Sequence, residues 1–186
     1  MLLFINACVR EESRTKRLAD CLLERLDGPV TELRLSDVRF PAADAAFLEK
    51  RDRLLAQGGL DDPMFAFARQ FAAADEVVIA APFWDLSFPA ALKAYFEQIN
   101  VVGVTFRYTP EGIPESLCRA RRLIYVTTVG GTFFPEEYGF GYIESLARSF
   151  YGIREVELVK ATGLDIVGAP VEDILRESEA DIARRF

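Results

Sequence analysis

Histidine is absent from the 186 residues of this chain. Without histidine there is no Ser-His-Asp triad and no Cys-His pair, so the hydrolases that depend on these groups are excluded. The three cysteines, Cys8, Cys21 and Cys118, are scattered and form no C-x-x-C motif. A structural zinc site is therefore not expected, and we predict that the chain binds no metal.

Long apolar runs are also missing, because no stretch reaches the roughly 18 residues of a membrane span. The N-terminal run Met1–Asn6 is too short for a signal peptide and lacks a basic region, so we expect a cytoplasmic location. The formal net charge of −7 argues against nucleic acid or an anionic membrane as partner. It does not exclude a small anionic ligand, which a helix N-terminus and hydroxyl groups can hold locally.

Short apolar runs alternate with amphipathic segments along the chain. The pattern predicts strands at Met1–Ala7, Val30–Leu35, Val77–Ala81, Leu123–Thr128 and Glu155–Thr162. Helices are predicted from Ser13 or Thr15 to about Asp27, at Pro63–Ala74, from Pro89 onward, at Glu137–Tyr151 and at Pro170–Arg185. Residues 36–62 look like a variable excursion with one short helix. This alternation indicates one α/β domain over residues 1–186, with a mostly parallel sheet covered on both faces.

Three loops, which follow the first, third and fourth predicted strands, lie at the carboxyl edge of such a sheet, where ligands bind. In the first loop, the N-terminus of a helix, the hydroxyls of Ser13 and Thr15 and the charge of Arg10 together favour an anion site. The simpler interpretation is that Ser13 or Thr15 only caps the helix.

The second loop, Pro82–Phe88, contains three large aromatic residues, although loops are usually polar. Its position at the end of a strand favours a ligand over plain core packing. The third loop contains Gly130 and Gly131, which would let the backbone approach a ligand closely or would simply form a flexible turn. No G-x-G-x-x-G sequence follows a strand, so a dedicated dinucleotide domain is not indicated.

The segment from Pro82 to Tyr108 resembles the FMN-dependent NADH-azoreductase and quinone-reductase family of the flavodoxin-like superfamily. That family has P-M-Y-N-F-x-x-P after its third strand, then L-K-x-Y and G-V-T-F-R-Y. This chain reads P-F-W-D-L-S-F-P over residues 82–89, L-K-A-Y over 92–95 and G-V-T-F-R-Y over 103–108. Asp85 replaces the family asparagine and Trp84 replaces the tyrosine. The resemblance extends over most of the chain.

The resemblance implies a flavodoxin-like three-layer sandwich with a five-stranded parallel sheet of order 2-1-3-4-5, and tightly bound FMN. The implied cofactor residues are Cys8, Arg10, Ser13, Thr15, Pro82, Phe83, Trp84, Asp85, Leu86, Thr128, Val129, Gly130 and Gly131. The first loop would hold the phosphate, and the other two would hold the ring between apolar walls and backbone donors. Phe88, Phe106 and Tyr108 are the predicted substrate-pocket residues.

The activity implied by the resemblance is a two-electron ping-pong reduction of quinones, azo compounds or similar planar acceptors, with NAD(P)H as a transient co-substrate. The chemistry would take place at flavin N5, so no side chain is predicted to be catalytic, and the family implies a homodimer. The Asp85 carboxylate would accept a hydrogen bond from flavin N3–H but would repel the negative charge of the reduced ring near N1 and O2. Alternatively, it only caps its own turn.

Two other functions fit parts of the sequence. An acidic flavoprotein could be a non-catalytic electron carrier that docks on basic partners. The spacing Cys8-x5-Arg14-Thr15 matches the C-x5-R-[ST] pattern of low-molecular-weight cysteine phosphatases, in which a thiolate at a helix N-terminus needs no histidine. The phosphatase hypothesis leaves the aromatic loop and the two glycines without a role.

Overall fold

The predicted alternation of strands and helices recurs in a computed structural model that describes residues 1–186. The strands are β1 (Leu2–Asn6), β2 (Val30–Arg34), β3 (Glu76–Ala80), β4 (Phe106–Tyr108), β5 (Pro114–Ser116), β6 (Arg122–Thr128) and β7 (Glu155–Ala161). The helices are α1 (Arg14–Leu23), α2 (Ala45–Ala56), α3 (Ala66–Ala73), α4 (Ala90–Ile99), α5 (Phe140–Ser149) and α6 (Val171–Arg185). None of these helices is both long and apolar enough to cross a membrane.

Five of the strands form one sheet in the order β2-β1-β3-β6-β7, and every neighbouring pair in it is parallel. Since β6 and β7 are the fourth and fifth strands of this sheet, the order is the predicted 2-1-3-4-5. The remaining two strands, β4 and β5, form an antiparallel hairpin between α4 and β6. The sequence analysis did not predict this hairpin.

The sheet has an apolar core on each face, because successive strand residues point to opposite sides. On one face, Leu3 and Ile5 of β1 belong to a cluster of 24 buried residues that includes Tyr95 of α4. On the other face, Leu2 and Phe4 belong to a cluster of 15 buried residues with α1 and α6. Both faces of β1 are covered, which confirms the three-layer sandwich and explains the unbroken apolar run at the N-terminus.

The helix predicted at Glu137–Tyr151 starts later in the structure. A single 3-10 turn covers Glu136–Tyr138, and α5 begins only at Phe140 because Gly139, with φ −108° and ψ −85°, interrupts the helical backbone. The excursion at residues 36–62 contains the short helix α2, none of whose residues is buried. This excursion is therefore peripheral, and the sheet edge described next is formed by other segments.

Candidate functional site

A cavity of about 290 Å³ opens at the carboxyl edge of the sheet, between the loops that follow β1, β3 and β6. The predicted cofactor residues that line it are Arg10, Ser13, Thr15, Pro82, Phe83, Trp84, Thr128, Val129 and Gly130. Cys8, Asp85, Leu86 and Gly131 are not part of its lining. All three predicted loops therefore meet at one cavity, whose volume is near the lower end of the range of about 300 to 1,000 Å³ common for ligand pockets.

Asn6 fixes the direction in which the first loop leaves the sheet. It is almost fully buried at the end of β1; its Oδ1 accepts a hydrogen bond from Cys8 N at 2.9 Å, and its Nδ2 donates to Glu32 Oε1 at 2.8 Å. Ser13 then caps α1, because its Oγ accepts from Lys16 N at 3.2 Å. Capping uses an acceptor lone pair, so the Ser13 hydroxyl proton can still be donated, either to the neighbouring Cys8 sulfur or to a ligand in the cavity.

Thr15 joins the first loop to the third. Its side chain is buried, and its Oγ1 lies 2.6 Å from Thr128 Oγ1 at the end of β6. The first turn of α1 contains no acidic residue, so no carboxylate within it neutralises the positive end of the helix dipole. Glu11 and Glu12 just before it are exposed, and Glu12 borders the cavity. The capping and ligand interpretations of this loop are therefore compatible.

The second loop makes a tight turn at its tip. Trp84 and Ser87 exchange two backbone hydrogen bonds, and the residues between them have positive φ angles, 51° at Asp85 and 66° at Leu86. This is the geometry of a type I′ turn, which favours asparagine and glycine at its central positions. Two non-glycine residues hold it here, and Ser87 Oγ secures the turn by donating to Tyr138 O at 2.8 Å.

The turn divides the predicted flavin residues of this loop into two groups. Pro82, Phe83 and Trp84 face the cavity, whereas Asp85 and Leu86 are exposed at the turn. The Asp85 side chain makes no hydrogen bond or ion pair with the protein, so it does not cap its own turn as one alternative proposed. Phe83 is supported from behind by Phe134, at 4.8 Å between ring centroids in an edge-to-face arrangement. Contact between Phe83 and the flavin stays a prediction.

Gly130 has a role in the third loop that the sequence analysis did not foresee. A Cβ placed there would overlap Asp165 Oδ2 and would lie 3.1 Å from Asp165 Cγ, so the missing side chain makes room for this carboxylate. Asp165 N also donates to Gly130 O at 2.8 Å. Gly131 has open space, with Phe133 N at 3.9 Å as the nearest atom to such a Cβ. The group that approaches Gly130 closely is thus the Asp165 side chain of the protein and not a ligand.

A fourth segment, after β7, completes the cavity and was missed. It contributes Leu164 and Asp165, while Val9, Glu12 and Arg14 are further lining residues not predicted for the cofactor. Because β7 is parallel to the other strands, the segment after it also lies at the carboxyl edge, and this rule could have identified it. Leu164 N and Asp165 N bond to the carbonyls of Val129 and Gly130, which joins the third and fourth segments.

The structure does not bring the three predicted substrate-pocket residues to this cavity. Phe88 packs between Phe96 and Tyr142, and Phe106 is buried against Phe150 at 4.7 Å between ring centroids. Tyr108, on the β4–β5 hairpin, is 52% exposed. Within one chain, Phe106 is buried and Phe88 is partly buried against the core, and contact between Tyr108 and an acceptor stays a prediction.

The position of Cys8 argues against the phosphatase hypothesis. Its side chain is buried, its Sγ lies 3.8 Å from Ala80 O, and burial raises the pKa of the thiol to about 11. The thiol is therefore protonated at neutral pH, whereas the phosphatase reaction needs a thiolate. Because Cys8 also lies outside the cavity lining, it cannot attack a ligand bound there.

Comparison with known proteins agrees with this geometry. A profile of the flavodoxin-like fold matches residues 1–186. The chain belongs to this flavodoxin-like family. It is 32% identical to an FMN-dependent NADH:quinone oxidoreductase of Clostridium perfringens, with 100% of this chain and 98% of that protein covered.

Two further similarities support the assignment to the flavodoxin-like family. FMN-dependent NADH:quinone oxidoreductase 2 of Clostridium acetobutylicum is 38% identical, with 95% of this chain and 93% of that protein covered. The crystal structure of an azoreductase from Bacillus anthracis superposes with a TM-score of 0.83 at 25% identity, covering 98% of this chain and 96% of that one. The resemblance found in the sequence is therefore confirmed.

The residues of the cavity suit FMN. Arg10, Ser13, Arg14 and the N-terminus of α1 offer cations and hydrogen-bond donors to a phosphate, and the carboxylates of Glu12 and Asp165 border the same cavity. Phe83 and Trp84 form an aromatic wall for a flat ring. One end of the cavity is therefore complementary to a phosphate and another to an aromatic ring system, which is the arrangement that a flavin mononucleotide requires.

Proposed function

We propose that this protein is an FMN-dependent NAD(P)H oxidoreductase that reduces quinones, azo compounds or similar planar acceptors in a two-electron ping-pong cycle. The observation that carries the proposal is the meeting of an anion-binding helix terminus and an aromatic wall in one cavity. The names of the relatives, FMN-dependent NADH:quinone oxidoreductase and azoreductase, support it. When bound, FMN supplies the hydride chemistry of such an enzyme.

Side chains and backbone amides of the protein would bind FMN and orient its ring. Ser13, Arg10, Arg14 and the free amides of α1 would hold the phosphate, and Thr15, through its contact with Thr128, keeps that end of the cavity joined to the sheet. Pro82, Phe83 and Trp84 would hold one side of the ring and exclude water there. Since the chain has no histidine, we expect water to serve as the proton donor to the acceptor.

The spectrum of the purified protein tests this function. We expect bound flavin with its visible absorption, bleaching by NADH under anaerobic conditions, and recovery of the absorption when a quinone is added. A protein that binds no FMN would contradict the proposal. If it binds FMN that neither NADH nor NADPH reduces, the result favours the electron carrier considered above over an enzyme.

We also propose that the protein is a cytoplasmic homodimer whose subunits meet near the cavity. Several large apolar side chains around this edge of the sheet are exposed: Val9, Trp84, Leu86, Phe133, Tyr138, Ile166 and Val167. Exposed apolar groups gathered in one region favour an interface. Light scattering should give twice the 20.9 kDa mass of the chain, and a monomer at micromolar concentration would contradict the proposal.

A further inference from the structure

Arg14, the first residue of α1, is held by a segment that lies 150 residues later in the chain. Its Nη1 donates to Leu164 O at 3.0 Å and to Asp165 Oδ1 at 2.7 Å. A guanidinium has five N–H groups in a planar fork, and those on Nε and Nη2 of Arg14 donate to no protein atom. Arg14 therefore borders the cavity with one nitrogen anchored and two nitrogens available.

The anchor itself is fixed on the backbone of the third loop. Asp165 N donates to Gly130 O at 2.8 Å, and the Asp165 carboxylate lies in the space that a side chain at Gly130 would fill. Gly163 N and Leu164 N donate to the carbonyls of Gly131 and Val129 at 2.8 and 3.2 Å. These three backbone bonds limit the movement of Asp165, and through it that of Arg14.

We infer that, of the two arginines at the phosphate end of the cavity, Arg14 contributes the main contact with the phosphate of FMN, and that Asp165 is its positioning residue; this inference rests on the proposed function. The guanidinium fork matches two phosphate oxygens, and an arginine already held in place loses less conformational freedom when it binds them. Arg10 also borders the cavity, but it is exposed and forms no ion pair.

Asp165 has two opposing effects on FMN binding: its charge would repel the phosphate, whereas its contact with Arg14 would hold that residue in position. Its side chain is 72% exposed, and it is paired with Arg14, so solvent and the ion pair both screen that charge. Its hydrogen bond to Nη1 acts whether or not the charge is screened. We therefore assign Asp165 a favourable effect on FMN binding, exerted through the position of Arg14.

The test compares FMN with riboflavin, which has the same ring and no phosphate. The full chain, freed of flavin, is titrated with each ligand, and binding is followed by quenching of flavin fluorescence. Arg14→Gln should weaken FMN binding by about tenfold or more, the loss expected for a charged hydrogen-bonded contact. Riboflavin affinity should stay within about twofold, because the uncharged ligand makes no use of the guanidinium.

The matched variants at Asp165 separate its charge from its hydrogen bond. Asp165→Ala should weaken FMN binding by about threefold, and Asp165→Asn should stay near the wild type, because its amide oxygen still accepts from Nη1. Arg14→Gln combined with Asp165→Ala should be no weaker than Arg14→Gln alone. If Arg14→Gln unfolds at the assay temperature, Arg14→Lys keeps the charge without the fork and should give an intermediate loss.

Two outcomes would overturn the inference. Equal losses for FMN and riboflavin in Arg14→Gln would show that Arg14 does not act on the phosphate. Tighter FMN binding in Asp165→Ala would show that Asp165 competes with the phosphate and does not position its partner. A wild-type chain that binds neither flavin would instead contradict the proposed function.

Discussion

Replacing Gly130 by alanine tests how closely the third and fourth segments are packed. The backbone at Gly130 does not have a positive φ, so alanine causes no dihedral strain there, and the effect comes from overlap with Asp165 Oδ2 and from approaches of 3.1 Å to its Cγ and 3.2 Å to its Cβ. Overpacking of this kind costs about 1 to 3 kcal/mol. Because the 72% exposed Asp165 side chain can rotate away on its fixed backbone, at the cost of its contact with Arg14, we expect the lower part of that range, about 1 to 1.5 kcal/mol.

The cost would arise mainly from moving Asp165 away from Arg14 and Gly130. The ion pair between Arg14 and Asp165 is exposed, so its loss contributes less than about 1 kcal/mol. Displacement of the Asp165 Cβ and Cγ accounts for the remainder. For a chain of this length, about 1 kcal/mol lowers the melting temperature by about 2 to 4 °C. Thermal and urea denaturation of the flavin-free chain would measure the change.

A double-mutant cycle identifies the cause. In an Asp165→Ala background the contacts with Oδ2 and Cγ are removed and only the 3.2 Å approach to the Cβ of residue 165 remains, so Gly130→Ala should then cost less than about 0.5 kcal/mol. Gly131→Ala, whose new methyl would meet nothing closer than 3.9 Å, is the matched control and should change stability by less than about 0.5 kcal/mol. Equal destabilisation by Gly130→Ala in both backgrounds would refute the packing argument.

Three other substitutions have defined outcomes. Ser13→Asp should keep the melting temperature, because aspartate caps helices as well as serine does, yet should weaken FMN binding by about tenfold through repulsion of the phosphate; unchanged FMN affinity would contradict the phosphate placement. Burial raises the pKa of the Cys8 thiol from its ordinary 9.0 to about 11, so the folded state favours the protonated thiol. The contribution of this thiol to the free energy of unfolding is therefore fully present below about pH 9 and is lost as the pH rises to about 11. Urea unfolding of wild type and Cys8→Ser between pH 8 and about 11 should show a smaller loss in the variant, and parallel curves would contradict the assignment. At the opposite end of the sheet, Arg122 Nε donates to Glu157 Oε1 at 2.9 Å and Nη1 lies 3.4 Å from Glu76, so Arg122→Gln should cost about 1 to 3 kcal/mol in urea unfolding and leave FMN affinity unchanged; a loss of FMN affinity would show that this cluster is coupled to the cavity.

The pattern of apolar residues was sufficient to locate the five strands of the sheet and the helices around it, whereas the strand order came from the family resemblance. Val77–Ala81 and Leu123–Val126 are unbroken apolar runs because both faces of β3 and β6 are covered, and the sequence records that burial. Since parallel strands end at one edge, the positions of the three loops followed as well. The FMN assignment came from the resemblance around Pro82–Tyr108, which the comparisons confirm.

Only the tertiary structure showed how individual side chains are used at that edge. The pairing of Arg14 with Asp165 joins residues 151 positions apart, and no local pattern marks such a contact. The same holds for Cys8, which is buried although its loop looked accessible, and for Phe106, whose ring packs on Phe150 and not in a ligand site. Periodicity reports which face of an element is buried, whereas the partner on that face depends on how distant segments pack, and this packing decided which residues form the cavity.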